Sequence, residues 1–530
     1  MILLTGSLLV AEHQPLAADD WLGWAYTAWK YFTPSTSAGV HPTTGLNRAN
    51  QYWGFVTDWD LATYIIAILH ACDLGVVSQS GSWGASDRLD KVLRFLELRP
   101  LRAEDGLPSW SYKWDAKDPY VAGVGGSSPP GDAGRLLVSL YLVKQSYPLL
   151  ATRVDAIVER LRPGYMANFY DVQGRLIASH DWYRYYDLFG FEEFGFPVEA
   201  SRQTLEEALA SPHVDVYGQS LARILTTAEP FLLGLFEWTM DSRFRDYAYR
   251  TYMAMEGRYN ALGILTSWSE SANDNDPYYV YEWVVKNTGE TWQLHPPTDS
   301  EGNPYTPIVT SKGAFGYHAL YHTSYTQTLL NKLLPKIQTS NLGFAEGAYE
   351  GTGGEIGVGL AVATDKTNAM IIGAARYAIR GLLTSMRRPS DGASLPCPVK
   401  LVVKVTSSGS VVAGATVKFY VDDSLVSTRT TNSKGKAKFK FCPTEGTYTW
   451  YATAEKTGYA SGLSEVRAFT VAAGAAYLED SDDLDSLGPL PLGLSSSQLL
   501  LLSVSSQMLK SIRMFLGSSF LRHYGNIAAR

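Results

Sequence analysis

Residues 226–238 read TTAEPFLLGLFEW, and residues 262–280 read LGILTSWSESANDNDPYYV. The pair Glu229-Pro230 favours a helix start, because proline fits the first turn and a carboxylate stabilises the positive end of a helix. A charged and aromatic run over residues 242–259 predicts a second helix that brings the chain back. It leads into a polar loop that holds Trp268, Glu270, Asp274 and Asp276. A helical hairpin that carries acids and an indole to one end of a barrel is typical of a sugar site. The alternative is a solvated loop beside a buried tryptophan.

The rest of residues 18–388 repeats this alternation of helices and aromatic, glycine-rich loops. Residues 61–70 (LATYIIAILH) are apolar on nearly every side, as a buried inner helix should be. Residues 86–98 instead carry one apolar stripe at helical spacing, formed by Leu89, Val92, Leu93 and Leu96. About a dozen such helices, some buried and some amphipathic, predict concentric rings. The predicted fold is mainly α, an (α/α)6 toroid or barrel over residues 18–388 that carries the catalytic site.

The pattern changes after this region. Residues 389–396 are rich in proline and glycine and predict a linker. Residues 397–472 alternate apolar and polar side chains, as in KAKFKF at residues 436–441, and predict an all-β, immunoglobulin-like sandwich. Cys397 and Cys442 lie beside predicted strands, so a disulfide between them is expected, with two free thiols as the alternative. A disulfide would imply an oxidising location.

The two ends of the chain have open interpretations. Residues 1–17 begin MILLTGSLLV, which is similar to the apolar core of a secretion signal without its basic leader, or is a disordered start. Residues 473–530 change from acidic through uncharged to basic. This order suits a membrane anchor, a basic amphipathic helix or a disordered tail. Membrane attachment through this tail is therefore one of three predictions.

Composition and motifs exclude several classes of function. The net charge is −7, so no nucleic-acid partner is expected. The sequence lacks a phosphate-binding glycine loop, a serine nucleophile elbow and an H-E-x-x-H pair. His318 and His322 are spaced i, i+4 but no nearby glutamate completes a zinc motif. Packing or substrate hydrogen bonding is expected there, with a shared metal as the alternative. No metal or cofactor is predicted.

Carboxylates beside aromatic residues remain as the main chemical signal. The chain has 14 Trp and 33 Tyr, and flat rings beside polar groups suit the faces of sugars. Glycoside hydrolysis needs two carboxyl groups, one as acid and one as base or nucleophile. For Asp58, Asp132 and Glu229 taken singly, the alternative is the ordinary preference of helix N-termini for acids.

In their order, several short motifs resemble a domain-of-unknown-function family within the six-hairpin, glucoamylase-like glycosidase superfamily. They cover about residues 18–385 and are TDWD (57–60), GDAGRLL (131–137), GFEEF (190–194), TAEPFLL (227–233), PYYVY (277–281), SKGAF (311–315), GAYE (347–350) and TNA (367–369). Phe194 stands where the family pattern leads us to expect tyrosine. The resemblance implies an (α/α)6 toroid with its site at one end and no settled substrate. The β-domain resembles immunoglobulin-like modules of cell-surface proteins.

By analogy with related barrels, the resemblance implies roles for particular residues. Asp58 or Asp60 would be the base, and Glu229 or Glu270 the acid, with inversion favoured over retention. The implied substrate-binding residues are Trp59, Asp132, Arg135, Trp182, Glu192, Trp268, Lys312, His318 and Glu350.

These observations together predict a secreted or cell-surface glycoside hydrolase acting on a poly- or oligosaccharide. One alternative is a non-catalytic surface protein that uses the barrel for glycan binding or as a structural module. Another is a polysaccharide lyase, although acid-rich loops disfavour uronate substrates because like charges repel.

Overall fold

The computed structural model describes residues 19–35, 37–177, 181–238, 242–407, 410–456, 459, 461–464 and 466–471. The predictions for residues 1–17 and for the tail after residue 472, including membrane attachment, lie outside the described residues. Within the described part, no helix combines the length and apolar character needed to cross a membrane.

The N-terminal part is built from helices. Within the described residues these are α1 (Trp21–Trp29), α2 (Asp58–Asp73), α3 (Ala85–Leu98), α4 (Pro130–Ser146), α5 (Ala151–Asn168), α6 (Trp182–Glu193), α7 (Glu199–Leu209), α8 (Ala228–Glu237), α9 (Ser242–Leu262), α10 (Ser311–Tyr321), α11 (Ser324–Ile337) and α12 (Asp365–Arg380).

The even-numbered helices form a closed inner ring. Each of α2, α4, α6, α8, α10 and α12 contacts the next, and α12 returns to α2. The odd-numbered helices pack outside, with α1 against α12 and each of the others against the inner helix before it or after it in the chain. This closed ring is the arrangement that an α/α toroid requires. The predicted mainly helical N-terminal part is confirmed.

Burial explains which helices are inner and which are outer. Helix α2 is buried at every residue from Asp58 to Ile68, whereas α3 buries a stripe that includes Leu89, Val92 and Leu96. Glycines allow the inner helices to approach closely. A Cβ at Gly190 of α6 would lie 2.3 Å from the carbonyl oxygen of Gly134 in α4. The ring therefore needs small residues as well as apolar ones.

Short strands fill the loops between the helices. They are β1 (Phe55–Thr57), β2 (Ser111–Lys113), β3 (His213–Val216), β4 (Gln219–Ala222), β5 (Glu270–Ala272), β6 (Tyr279–Val285), β7 (Thr291–His295), β8 (Ile308–Thr310), β9 (Gly347–Glu350) and β10 (Ile356–Gly359). All of these strands pair antiparallel. Strands β1–β2 and β3–β4 form two-stranded sheets, and β5–β6–β7 and β8–β9–β10 form three-stranded sheets. In the first of them, Glu270 lies opposite Tyr281.

The C-terminal part is strand-rich, as predicted. Its strands are β11 (Leu383–Arg388), β12 (Ala393–Leu395), β13 (Val399–Ser407), β14 (Ser410–Val411), β15 (Thr416–Val421), β16 (Ser424–Thr430), β17 (Lys436–Phe441), β18 (Gly446–Glu455), β19 (Gly462–Leu463) and β20 (Arg467–Val471). The first sheet has the order β11-β13-β14 with β17 on β13. The second has the order β12-β20-β18-β15-β16 with β19 on β18. The immunoglobulin-like classification stays a prediction.

The sheets begin earlier in the chain than expected. Strand β11 falls in the region predicted as helical, and β12 falls in the predicted linker, yet both pair with sheet strands. Turn-forming residues such as Pro389 and Gly392 obscured this pairing because they separate β11 from a strand of only three residues, β12. Cys397 and Cys442 are joined by a disulfide with their Cα atoms 5.2 Å apart.

Candidate active site

A cavity of about 950 Å³ is lined largely by residues at the N-terminal ends of inner helices and in the loops near them. Its chemistry comes from carboxylates, a lysine and aromatic rings. The described lining includes Asp60, Asp132, Asp181, Glu270, Glu346, Lys366, Tyr52, Trp53, Trp59, Trp110, Tyr183, Tyr278, Tyr279, Tyr281 and Trp283.

The first turns of the inner helices supply several of these side chains. Asp60 belongs to the first turn of α2, Asp132 to that of α4 and Lys366 to that of α12. An acid is favourable at the positive end of a helix, whereas a lysine is not. Lys366 therefore needs negative partners, and it has them. Its Nζ lies 3.5 Å from a carboxylate oxygen of Glu270 and donates to the Tyr279 hydroxyl at 2.9 Å.

Lys366 is a fixed positive charge in the cavity wall. Burial pushes the pKa of its ammonium down, but the nearby carboxylates of Glu270, Glu229 and Asp60 outweigh this effect and raise the pKa. The ammonium also lies 5.9 Å from the centroid of the Trp59 ring. The cavity thus holds an ammonium that stays charged throughout the neutral range.

Glu270 is an ionised carboxylate. Its burial acts to raise the pKa, but the charges of Lys366 and Lys312 and a hydrogen bond from Tyr279 prevail, so that the pKa is lowered. Because the carboxylate form is stabilised, Glu270 can accept a proton at neutral pH.

Asp132 has the opposite electrostatic environment. Burial, followed by the negative charges of Asp58 and Asp60, raises its pKa to about 8, although Lys366 and a hydrogen bond from Trp110 act against the shift. Asp132 therefore holds a proton at neutral pH and can donate it. Two carboxyl groups whose pKa values are moved in opposite directions are suited to acid and base roles.

Asp60 is held at the cavity wall by its helix cap. Its Oδ2 accepts from the backbone N–H of Thr57 at 2.8 Å and from the Thr57 hydroxyl at 2.9 Å, in a capping box. Burial raises the pKa of Asp60, while Lys366 and the bonds from Thr57 act to lower it. These bonds fix the orientation of the carboxylate that contributes to the raised pKa of Asp132.

A buried ion cluster supports the wall. The Lys312 ammonium lies 2.5 Å from Glu229 and 3.2 Å from Glu346. Glu346 also accepts from the hydroxyls of Thr364 at 2.6 Å and Thr367 at 2.7 Å. Burial, with Glu270 as a like charge, raises the pKa of Glu229 against the effect of Lys312. The predicted acid Glu229 and ligand Lys312 thus form a buried cluster that meets the cavity through Glu346.

Among the predicted residues, the described lining includes Trp59, Asp60, Asp132 and Glu270. Asp58 was predicted as a possible base, but its carboxylate lies outside the described cavity lining. It is ion-paired with the fully buried Arg99 and accepts from the Ser128 hydroxyl at 2.9 Å. Its carboxylate is thereby occupied by structural partners.

The remaining predicted ligands also lie in structural contacts. Arg135 is buried, with its guanidinium 3.0 Å from Glu237 and 4.7 Å from the Trp59 ring centroid. Trp182 is a core side chain whose indole N–H donates to the Thr226 hydroxyl at 3.2 Å. Arg135 belongs to inner helix α4 and Trp182 to inner helix α6, and both side chains are buried among these partners.

Trp268 and Glu350 form one cluster. The Trp268 indole donates to Glu350 at 2.8 Å, and Glu350 also pairs with Arg258 in a two-pronged ion pair. Glu192 is 46% exposed and paired with Arg202. His318 contacts Asp19, near the C-terminal end of α10, whereas the Lys312 cluster lies near the N-terminal end.

Sequence reasoning missed Lys366 and the tyrosines of β6. A lysine in the first turn of a buried helix, two positions after the Thr364 cap, was the available signal, because such a charge needs a buried acid. Tyr279 and Tyr281 belong to the PYYVY motif of residues 277–281. That they lie on a strand beside Glu270 follows only from the pairing of β5 with β6.

Several solved structures are similar to this chain. An endo-beta-1,2-glucanase from Chitinophaga pinensis, in a complex with sophorotriose and glucose, is 12% identical with a TM-score of 0.48, and the match covers 67% of this chain and 91% of that one. A "putative glucoamylase" from Bacteroides uniformis ATCC 8492 is 13% identical with a TM-score of 0.47, over 67% of this chain and 90% of that one. No curated protein matches the chain.

The family comparison extends over most of the sequence. Residues 23–381 match the family described as "Protein of unknown function (DUF3131)". This span includes all the charged residues of the cavity lining, and it confirms the predicted relationship to a family of unknown function. The chain is a member of the DUF3131 family.

Proposed function

We propose that the protein is a glycoside hydrolase that cleaves a poly- or oligosaccharide in this cavity. One observation carries the proposal: a single aromatic-walled cavity holds Asp132, with its pKa raised to about 8, and Glu270, with its pKa lowered. A protonated and an ionised carboxyl group are the two components that glycoside hydrolysis requires.

The aromatic rings favour a sugar over other neutral substrates. Tyr281 and Trp283 stack at 5.4 Å between ring centroids, and Trp53 and Trp110 lie 5.8 Å apart. Tyr278 is 69% exposed although it lines the cavity. Exposed flat rings beside carboxylates bind the apolar faces of sugars while the acids accept from hydroxyl groups.

In the proposed mechanism, Asp132 protonates the oxygen of the leaving group. Glu270 accepts a proton from the attacking water, and Lys366 with Tyr279 keeps Glu270 ionised until it does so. Asp60 keeps the proton on Asp132 through its negative charge. In this proposal Asp132 takes the role of acid that was predicted from the sequence for Glu229 or Glu270. Glu270 takes the role of base that was predicted for Asp58 or Asp60. Inversion remains part of the proposal and requires about 6.5–9.5 Å between the two carboxyls for the water.

The test is digestion of a panel of neutral α- and β-glucans and mannans. Asp132→Asn and Glu270→Gln should each lower kcat/KM by about 10²–10⁴-fold with the fold retained, because each removes one proton-transfer group. Glu192→Gln is the matched control, since it neutralises an exposed carboxylate away from the cavity, and it should leave the rate unchanged.

The products decide between the competing functions. Saturated products with an inverted anomer, seen by NMR, would support an inverting hydrolase. Unsaturated products would replace it with a lyase. Sugar binding without cleavage, unaffected by either substitution, would identify a non-catalytic binding protein. Secretion or a cell-surface location is also proposed, and the Cys397–Cys442 disulfide supports it because such bonds persist in oxidising compartments.

A further inference from the structure

We propose that Asp19, His318 and His322 bind a divalent transition-metal ion, with Zn²⁺ as the best match. The three residues lie before α1 and near the C-terminal end of α10, apart from the lining of the cavity. This inference is independent of the proposed hydrolase activity. The sequence had shown the histidine pair, but the third ligand comes from a residue 299 positions away.

The geometry of the three side chains is that of a metal site. A single oxygen of Asp19, Oδ2, lies 3.0 Å from His318 Nε2 and 2.8 Å from His322 Nε2. One ligand atom from each residue lies within 4.8 Å of the others. Zinc bonds of about 2.0–2.1 Å in a tetrahedron set neighbouring donor atoms roughly 3.3 Å apart. The two distances from Asp19 Oδ2 are roughly a few tenths of an ångström shorter than this, so a small outward shift of the carboxylate would bring it to the separation of zinc ligands.

The second hydrogen bond of His318 is compatible with the metal-binding tautomer. Its Nδ1 lies 2.9 Å from the Thr326 hydroxyl oxygen. That hydroxyl accepts from the Thr323 N–H at 3.0 Å and donates to the Thr323 carbonyl at 3.0 Å. With a metal ion on Nε2, the ring proton lies on Nδ1 and is donated to this hydroxyl, whose own hydrogen stays on the Thr323 carbonyl. Without the ion, the Nε2 proton can be donated to Asp19 Oδ2, which lies 3.0 Å away. The ion would take the place of that proton between His318 and Asp19, and a ring oriented by a second hydrogen bond is usual for metal-ligating histidines.

The surroundings hold the ligands in place. The His318 side chain is fully buried and stacks on Trp21, with 5.7 Å between ring centroids. His322 caps α10 in the left-handed conformation, with φ of 46°, which is uncommon for a non-glycine residue. This turn directs its imidazole to Asp19. Its side chain is 66% exposed, so a fourth ligand position would face solvent and take a water molecule.

The first test is Zn²⁺ titration of the untagged full chain by calorimetry, with Co²⁺ absorption as a report on coordination. We expect one tightly bound ion per chain and visible bands typical of a site with four or five ligands. His322→Ala should weaken binding by about 100-fold or more, because one of three ligands is lost. Its exposed side chain makes this variant suitable, since the fold does not depend on it. Asp19→Asn should weaken binding similarly.

Two further variants sharpen the result. Thr326→Val should lower affinity by roughly 10–100-fold, the usual effect of removing the partner that orients a ligating histidine. His295→Ala, which removes an exposed histidine elsewhere, should bind like the wild type. The proposal is overturned if the folded wild-type chain takes up no Zn²⁺ at pH 7.5, or if His322→Ala binds as tightly as the wild type. Equal loss in His295→Ala would also overturn it, by showing non-specific binding.

Discussion

Replacement of Lys366 by methionine tests the electrostatics of the cavity directly. The methionine keeps the length of the side chain and removes the charge that lies 3.5 Å from Glu270. Two opposite charges about 4 Å apart attract by about 4 kcal/mol at an effective dielectric constant near 20. Burial acts to raise the pKa of Glu270, and Lys366 is the largest opposing effect. Without it, the pKa of Glu270 should rise.

The expected result is a shift of both limbs of the pH profile. If Glu270 is the base, it must be ionised, so a higher pKa moves the acidic limb of kcat/KM to higher pH. Lys366 also acts to lower the pKa of Asp132, so its loss moves the basic limb in the same direction. At neutral pH a protonated base should slow the reaction by about 10²–10⁴-fold.

The assay is the pH dependence of kcat/KM on whichever glycan the wild type cleaves. Lys332→Met is the matched control, because this lysine is exposed and pairs with Glu355 at the surface. Its profile should match that of the wild type. The reasoning about Glu270 is refuted if Lys366→Met is folded and has both limbs unmoved.

Three further predictions concern protonation and stability. The wild-type activity should fall as the pH passes about 8, where Asp132 loses its proton, and Asp132→Asn should lack this limb; a limb that persists in the variant would assign it to another group. Asp58→Asn should lower the free energy of unfolding by about 3–5 kcal/mol, because it leaves the buried Arg99 charge unpaired; denaturant titration measures this, and an unchanged midpoint would contradict it. Replacing both Cys397 and Cys442 by serine should destabilise the β-domain by about 2–4 kcal/mol, given the 45 residues that separate them. Reduction of the wild type should give a similar loss, and no loss in either case would count against a stabilising disulfide.

Sequence reasoning succeeded where one local pattern decided the outcome. The apolar character of residues 61–70 predicted an inner helix, because a helix that is apolar on all sides must be buried. Acids next to aromatic rings selected Asp60, Asp132 and Glu270, which line one cavity. The same pattern selected Asp58, Glu229 and Glu350, which are not among the described lining residues. First-turn acids come together because the inner helices of a closed ring bring the same ends to one side.

The sequence alone determined the mainly helical character of the N-terminal part, the change to strands, and the carboxylates from which a site could be built. Only the tertiary structure decided which carboxylates meet. Asp58 and Asp60 share one helix turn, but side chains two positions apart point in different directions, and only Asp60 reaches the cavity. Protonation was decided in the same way. Burial raises and Lys366 lowers the pKa of both Asp132 and Glu270. Negative charges of Asp58 and Asp60 add to the effect of burial at Asp132, whereas the positive charges of Lys366 and Lys312 outweigh burial at Glu270. Coulomb interactions depend on distances in space, and residues far apart in the chain set those distances.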